Sequence, residues 1–92
     1  MNITEALIGD TVKTTWVDSG VTPSAITAEL FTGSETSIIA AGAMTSSGDG
    51  HFFRLMTLPD TPGFYVSETL ATIDGLPYKR RKKIHAILGE VD

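Results

Sequence analysis

A rigid corner followed by a long extended segment constrains the fold of this chain more than any other feature. The corner, Leu58-Pro59-Asp60-Thr61-Pro62-Gly63, contains two prolines and a glycine, which force the backbone to turn. A β-rich segment of residues 64–73 follows, and it ends at Asp74-Gly75, a dipeptide that favours a tight hairpin turn. A strand between a corner and a tight turn is typical of the centre of a β-sandwich. We therefore predict that residues 64–73 pair with a strand on each side.

The rest of the chain also has the composition and alternation of β-strands rather than helices. Threonine and serine are frequent between branched and aromatic residues, and glycine and aspartate interrupt the chain at short intervals. The alternation is clearest where Ile26, Ala28 and Leu30 are separated by more polar residues. The predicted strands cover residues 3–8, 11–18, 25–32, 36–45, 51–58, 64–73 and 78–88, and residues 46–50 are predicted to form a flexible loop.

Seven strands in a chain of 92 residues predict one all-β domain, residues 1–92, with the fold of a seven-stranded immunoglobulin-like β-sandwich. The alternative is an OB-type barrel, for which five strands and usually a helix are expected. Trp16 and Tyr65 are predicted core residues. Trp16 shares a strand face with Val12, and Tyr65 follows the corner as in a tyrosine corner. Residues 36–45 are apolar on both faces, so the pattern leaves the register of that strand open.

Four segments of the chain carry a resemblance to a known family. They are the opening strand Gly9-Asp10-Thr11-Val12, the polar turn from Ser19 to Pro23, the corner from Leu58 to Tyr65, and the strand end Ala71-Thr72-Ile73-Asp74-Gly75. Together they resemble the small immunoglobulin-like or fibronectin-type sandwich proteins among the structural proteins of tailed-phage and prophage particles. The Cys…Trp…Cys framework of antibody domains is absent. The resemblance implies a virion component, at the capsid surface or the head–tail neck, that is made in the host cytoplasm.

The sequence lacks the residue patterns on which most catalytic and metal sites depend. Without cysteine there is no disulfide, thiol nucleophile or thiolate zinc site. His51 and His85 are the only histidines, and we expect both to be surface residues. The aspartates in predicted turns cap backbone amides, and a calcium site would need three or more of their oxygens to converge. These aspartates are Asp10, Asp18, Asp49, Asp60 and Asp74. We predict a non-enzymatic protein with no catalytic residues, no metal and no cofactor.

Five of the seven basic residues are consecutive: Lys79, Arg80, Arg81, Lys82 and Lys83. The net charge is −4, so the rest of the chain, with two basic and 11 acidic residues, carries −9. On a strand, Arg80 and Lys82 point to one face and the other three cations to the opposite face. The run must therefore project past the sandwich or lie on an exposed edge. Either its lysines protect an edge strand from pairing with other chains, or the run binds an acidic partner.

We predict that the basic run contacts protein subunits of a larger particle. Tyr78 beside the run, with Phe31 and Phe52 on the faces opposite their strands' core residues, would complete a partner-binding surface. Nucleic acid is a less favoured partner, because the acidic body repels it and Tyr78 is the only aromatic residue near the run. No apolar segment approaches the roughly 20 residues that cross a bilayer, so no membrane contact is predicted. The alternatives are a carbohydrate-binding or adhesion module and, third, a nucleic-acid binder that uses the basic run.

Overall fold

The computed structural model describes residues 3–18 and 22–88, and all regular structure in these ranges is β-strand. The strands are β1 (Ile3–Leu7), β2 (Thr11–Val17), β3 (Ala25–Thr32), β4 (Ser37–Ala43), β5 (Thr45–Gly48), β6 (His51–Thr57), β7 (Gly63–Ile73) and β8 (Leu76–Ile87). They form a five-stranded sheet in the order β1-β8-β7-β3-β4 and a three-stranded sheet in the order β2-β6-β5. The predicted all-β, two-sheet architecture is confirmed. A search of the described residues finds no helix that could span a membrane.

β7 is the central strand of the five-stranded sheet, as the corner and turn predicted. It pairs antiparallel with β3 from Thr32↔Tyr65 to Ala25↔Thr72, and with β8 over its whole length. The connection from β7 to β8 is the predicted two-residue turn. Asp74 and Gly75 both have positive φ, 52° and 77°, which is the conformation of a type I′ hairpin.

The corner before β7 is closed by the hydroxyl of Tyr65. This hydroxyl donates a hydrogen bond of 2.6 Å to the carbonyl oxygen of Thr61, four residues upstream, and the Tyr65 side chain is buried. Leu58, where the corner begins, is also buried, and its backbone N–H donates to the carbonyl oxygen of Asp10 at 2.8 Å. The predicted core position of Tyr65 is confirmed, and the bond ties the corner to the start of the central strand.

The core lies between the two sheets and follows the predicted alternation on most strands. Trp16 is 1% exposed, and its neighbour on the same face, Thr14, is buried. The other buried apolar side chains include Ile26, Ala28, Leu30, Met44, Met56, Ala71, Ile84 and Ala86. In the strand whose register was open, Ile39 packs against this core while Ile38 is exposed.

Two details of the strand prediction are wrong. The predicted loop contains a short eighth strand, β5, which pairs with β6 with a register shift, although its residues are all exposed. Without an apolar face, Thr45–Gly48 gave no period-2 signal. Leu88, the last residue of the predicted strand 78–88, lies outside β8, which ends at Ile87, and is 70% exposed.

Arg54 crosses from β6 to the other sheet. Its Nη1 donates to the carbonyl oxygens of Ala28 at 2.5 Å and Ala40 at 2.9 Å, where the pairing of β3 with β4 is shifted in register. Gly42 leaves room for this contact, since a Cβ there would lie 2.8 Å from the guanidinium carbon. Arg54 therefore satisfies carbonyl groups of an irregular strand pair and links the two sheets.

We expect Arg54→Met to lower the free energy of unfolding by about 1–3 kcal/mol, because it removes a charged donor from the partly buried carbonyl oxygen of Ala28. Urea unfolding followed by circular dichroism measures the change. Lys13→Met on the neighbouring strand β2 is the control. Lys13 is exposed and its ammonium lies over the Phe53 ring, so we expect a change within about 0.5 kcal/mol. Equal losses in both variants would contradict the assigned role of Arg54.

The chain's two tyrosines provide a matched test of the corner. Tyr65→Phe removes the bond to Thr61 and should cost about 1 kcal/mol of unfolding free energy, whereas Tyr78→Phe at an exposed position should change it little. The difference between the two urea midpoints is the measurement. A Tyr65→Phe protein as stable as the Tyr78→Phe protein would show that the hydrogen bond does not hold the corner.

Candidate partner-binding edge

The basic run lies on an exposed sheet edge. β1 runs parallel to β8 but pairs only with Lys83–Ile87. Along Leu76–Lys82, no strand of residues 3–18 and 22–88 pairs with the side of β8 that faces away from β7. Pro77, which has no N–H to donate, lies on this segment, as is common for edge strands. The basic run was predicted either to project past the sandwich or to lie on an exposed edge, and it lies on the edge. The hairpin does not project freely, since its β7 arm pairs with β3 as far as Thr72.

The cations alternate between the two faces of β8, as predicted. Arg80 and Lys82 share the parity of the buried residues Ile84 and Ala86, so they lie on the side of the three-stranded sheet. Lys79, Arg81 and Lys83 are on the outer face of the five-stranded sheet.

Arg80 bridges the two sheets beside the core tryptophan. Its guanidinium carbon is 4.7 Å from the centroid of the Trp16 ring, and its Nη1 donates to the carbonyl oxygen of Val17 at 3.1 Å. The guanidinium thus covers Trp16 while hydrogen-bonding to the backbone of β2.

Arg81 is held by two carboxylates on the outer face. Its Nε donates to Oε2 of Glu68 at 2.7 Å and its Nη1 to Oε1 of Glu35 at 2.8 Å. The Glu68 side chain is only 11% exposed, and the guanidinium also lies 5.6 Å from the Phe31 ring centroid. The hydrogen bond to Glu35, followed by the one to Glu68, raises the pKa of Arg81 above its already high ordinary value. The Arg81 guanidinium is therefore charged and is paired with two carboxylates of its own chain.

Lys83 lies over an aromatic pair. Its Nζ is 4.6 Å from the Phe64 ring centroid, and Phe64 stacks on His85 with centroids 4.5 Å apart. His85 Nδ1 is 3.8 Å from Oε2 of Glu5 on β1. The ammonium of Lys83 is thus engaged by its own chain.

Lys79 and Lys82 differ from the other three cations. Within residues 3–18 and 22–88, neither forms a salt bridge, a side-chain hydrogen bond or a stacking contact with an aromatic ring. Both are exposed, and beside them Leu76 and Tyr78 are 58% and 48% exposed. The two lysines of the run and these two neighbouring residues therefore have side chains available to a partner. Leu76 was not predicted, because an apolar residue after a turn gives no signal of exposure.

The two predicted phenylalanines do not form one surface. Phe31 lies on the outer face, half-buried beneath Arg81. The prediction for Phe52 is wrong: it packs against the core and meets the Trp16 ring edge-on, with centroids 6.2 Å apart. On β6 the core face is that of Phe52 and Met56, and Leu55 on the opposite face is exposed.

The described residues contain no group of three or more His, Asp or Glu side chains that could hold a metal ion. Comparisons of the chain with protein-family models, with curated proteins and with solved structures find no match. The geometry of the β8 edge therefore carries the functional argument.

Arg80 and Arg81 are adjacent and lose the same charge on replacement by glutamine, but only Arg80 covers Trp16. Because Trp16 is the only tryptophan, its fluorescence reports this contact directly. We expect Arg80→Gln to shift the emission to longer wavelength and increase quenching by acrylamide, and Arg81→Gln to leave both unchanged. An unchanged spectrum in the folded Arg80→Gln protein would contradict the covering role of Arg80.

Proposed function

We propose that this chain is a non-enzymatic structural or assembly protein that binds neighbouring protein subunits through the β8 edge. The observation that carries the proposal is that Lys79 and Lys82 lie without intramolecular partners in the described structure, on the segment of β8 whose edge away from β7 is unpaired there. Outside the five-residue basic run the chain carries −9. A cationic edge on such an acidic body favours oriented association.

We further propose that the sandwich is immunoglobulin-like. The sheet orders β2-β6-β5 and β8-β7-β3-β4 follow the strand orders of immunoglobulin sandwiches, with β1 added in parallel to β8. The hydrogen bond from Tyr65 to Thr61 at the start of β7 has the form of a tyrosine corner. Together with the segments quoted from the sequence, these features support a component of a tailed-phage or prophage virion, at the capsid surface or head–tail neck.

Protection of the edge and recognition through it are compatible physically. Lysine and proline on an edge strand discourage pairing with arbitrary neutral strands, which is the aggregation hazard of an open sheet. The same charges attract an acidic partner and favour its binding to the edge. The edge therefore selects partners by charge rather than excluding all of them.

A polynucleotide is less well matched to this edge. Arg80 and Arg81 are engaged by Trp16, Val17, Glu35 and Glu68. Tyr78 is the only exposed aromatic side chain on the free segment of β8, whereas single-stranded nucleic acids are bound by several stacking platforms.

The assembly proposal is tested by replacing the two cations without intramolecular partners, Lys79→Gln with Lys82→Gln. Sedimentation velocity of the pure protein, alone and with particle extract from its source, measures complex formation. We expect the double variant to lose its faster-sedimenting complexes while its melting temperature stays within a few degrees of the wild type. Raising the salt concentration should dissociate the same complexes of the wild-type protein, because salt screens the charges.

The control for net charge is Ala41→Glu with Thr45→Glu, two exposed positions on β4 and β5. It also changes the net charge by −2 and should assemble normally. Assembly of the Lys79/Lys82 variant to the wild-type extent would contradict the proposal. So would equal loss in both variants, because net charge alone would then explain the effect.

A further inference from the structure

The side of the sandwich between β8 and β2 is open. β2 pairs with β6 only, so within the described ranges both β2 and the first part of β8 have an unpaired edge. β1 covers this side only from Lys83 onward. A sandwich with two adjacent unpaired edges has room for one more extended segment between them.

Three cavities follow one another along this opening. A cavity of about 360 Å³ next to the hairpin is lined by Trp16, Tyr78 and Arg80, and one of about 70 Å³ continues past Arg80 to Lys82. A third, of about 160 Å³, begins at Lys82 and extends to β1. Successive cavities share lining residues, so we treat them as one groove, the lateral groove. Its length from Tyr78 to Lys82 is about 13 Å, which an extended segment of about five residues spans.

The floor of the middle cavity carries hydroxyl side chains, although it faces the interior of the sandwich. Thr14, Ser67 and Thr69 are buried there, at positions whose neighbours along β2 and β7 belong to the core. Trp16, which lines the widest cavity, has an indole Nε1 that is buried and without a hydrogen-bond partner in the described structure. The Thr69 hydroxyl donates to the carbonyl oxygen of Arg80 at 3.4 Å, and a polar segment can offer further hydrogen bonds to the hydroxyls of Thr14 and Ser67.

The rim of the lateral groove is cationic. Its charged lining residues are Lys13, Lys79, Arg80, Arg81 and Lys82 against Asp18 and Glu5. A segment that carries carboxylates on alternate residues would place them on one face, beside Arg80 and Lys82.

We propose that the lateral groove binds an acidic, extended segment of a partner protein, which adds to the free edge of β8 as a further strand. This inference rests on the proposed assembly function and names the chemistry of the partner. Along β8, residues whose N–H and C=O groups bond to β7 alternate with residues whose groups point away from it. Lys79 and Arg81, which pair with Leu70 and Glu68, belong to the second set, as does the partner of Thr72. The N–H and C=O groups of Lys79 and Arg81 therefore point to the open edge. Arg80 spans the narrow middle cavity, and the segment lies over its guanidinium.

A peptide fits this edge better than a polynucleotide does. Only a peptide backbone supplies the alternating N–H and C=O groups that complete a strand edge. A chain of phosphates would use the charges of the rim but leave the backbone of Lys79 and Arg81 unpaired.

The probe is a synthetic octapeptide of alternating glutamate and threonine, titrated into the ¹⁵N-labelled protein at low and physiological salt. The single indole N–H of Trp16 gives one resolved signal, and the amides of Lys79 and Arg81 report the edge. We expect these signals to shift together and the affinity to fall as salt increases. The matched lysine–threonine octapeptide should not bind, and an oligothymidylate of equal charge should bind more weakly.

A matched pair of variants distinguishes the groove from a general charge effect. Thr15 on β2 and Thr45 on β5 pair with Phe53 from opposite sides, and both are exposed. Thr15→Glu adds a negative charge at the rim of the groove and should weaken peptide binding roughly tenfold or more, through like-charge repulsion. Thr45→Glu adds the same charge at the far edge and should change the affinity less than about twofold.

Three outcomes would overturn the inference: no binding of the glutamate peptide at millimolar concentration, shifts confined to the outer face around Phe31 and Phe64, or stronger binding of the oligothymidylate. A peptide bound only on the outer face would leave the assembly proposal standing and remove the groove from it. Groove binding of the peptide, combined with a protein that forms no complex with its particle extract, would remove the assembly proposal instead.

Discussion

The structure depends on the hydrogen bonding of β7 along both of its edges. A strand paired on two sides cannot slip by one residue without turning every side chain to the opposite face. Its register therefore determines that Tyr65, Ser67, Thr69 and Ala71 point inward and that Glu68 points outward to Arg81. The corner closed by Tyr65 and the turn at Asp74-Gly75 hold the two ends of this strand, and the core and the basic edge are positioned relative to it.

The same register divides one run of five cations into groups with different roles. Arg80 covers the tryptophan on the inner side, while Arg81 and Lys83 are engaged by carboxylates and an aromatic ring on the outer side. Lys79 and Lys82 point to opposite faces and stay exposed. Guanidinium groups take the structural positions because their planar donors can stack on a ring and bond to an acceptor at the same time. Lys79 and Lys82 are then left as exposed charges, which the proposed recognition uses.

The small size of the domain explains why one side of it stays open. Two short sheets with a single layer of core residues between them leave strand edges wherever a neighbouring strand ends, and within residues 3–18 and 22–88 β1 pairs with β8 only from Lys83 onward. Within the described residues, the open side carries buried hydroxyls, an indole N–H without a partner and a cationic rim beside the apolar side chains that also line it. The cationic rim favours a negatively charged segment in the proposed groove. The proposed assembly function and the proposed partner chemistry are thus two consequences of the same incomplete closure.

The sequence by itself determined every strand except β5, the central position of β7, the burial of Trp16 and Tyr65, and the alternation of the cations. These follow from period-2 patterns, turn residues and local sterics, which act over a few neighbours. The tertiary structure alone decided that Phe52 packs on Trp16, that Arg54 reaches Ala28 and Ala40 across the core, and that Arg80 and Arg81 are held while Lys79 and Lys82 are not. A pattern shows which residues share a face of a strand. Which face meets the other sheet, and which distant groups lie opposite it, depends on how the two sheets pack.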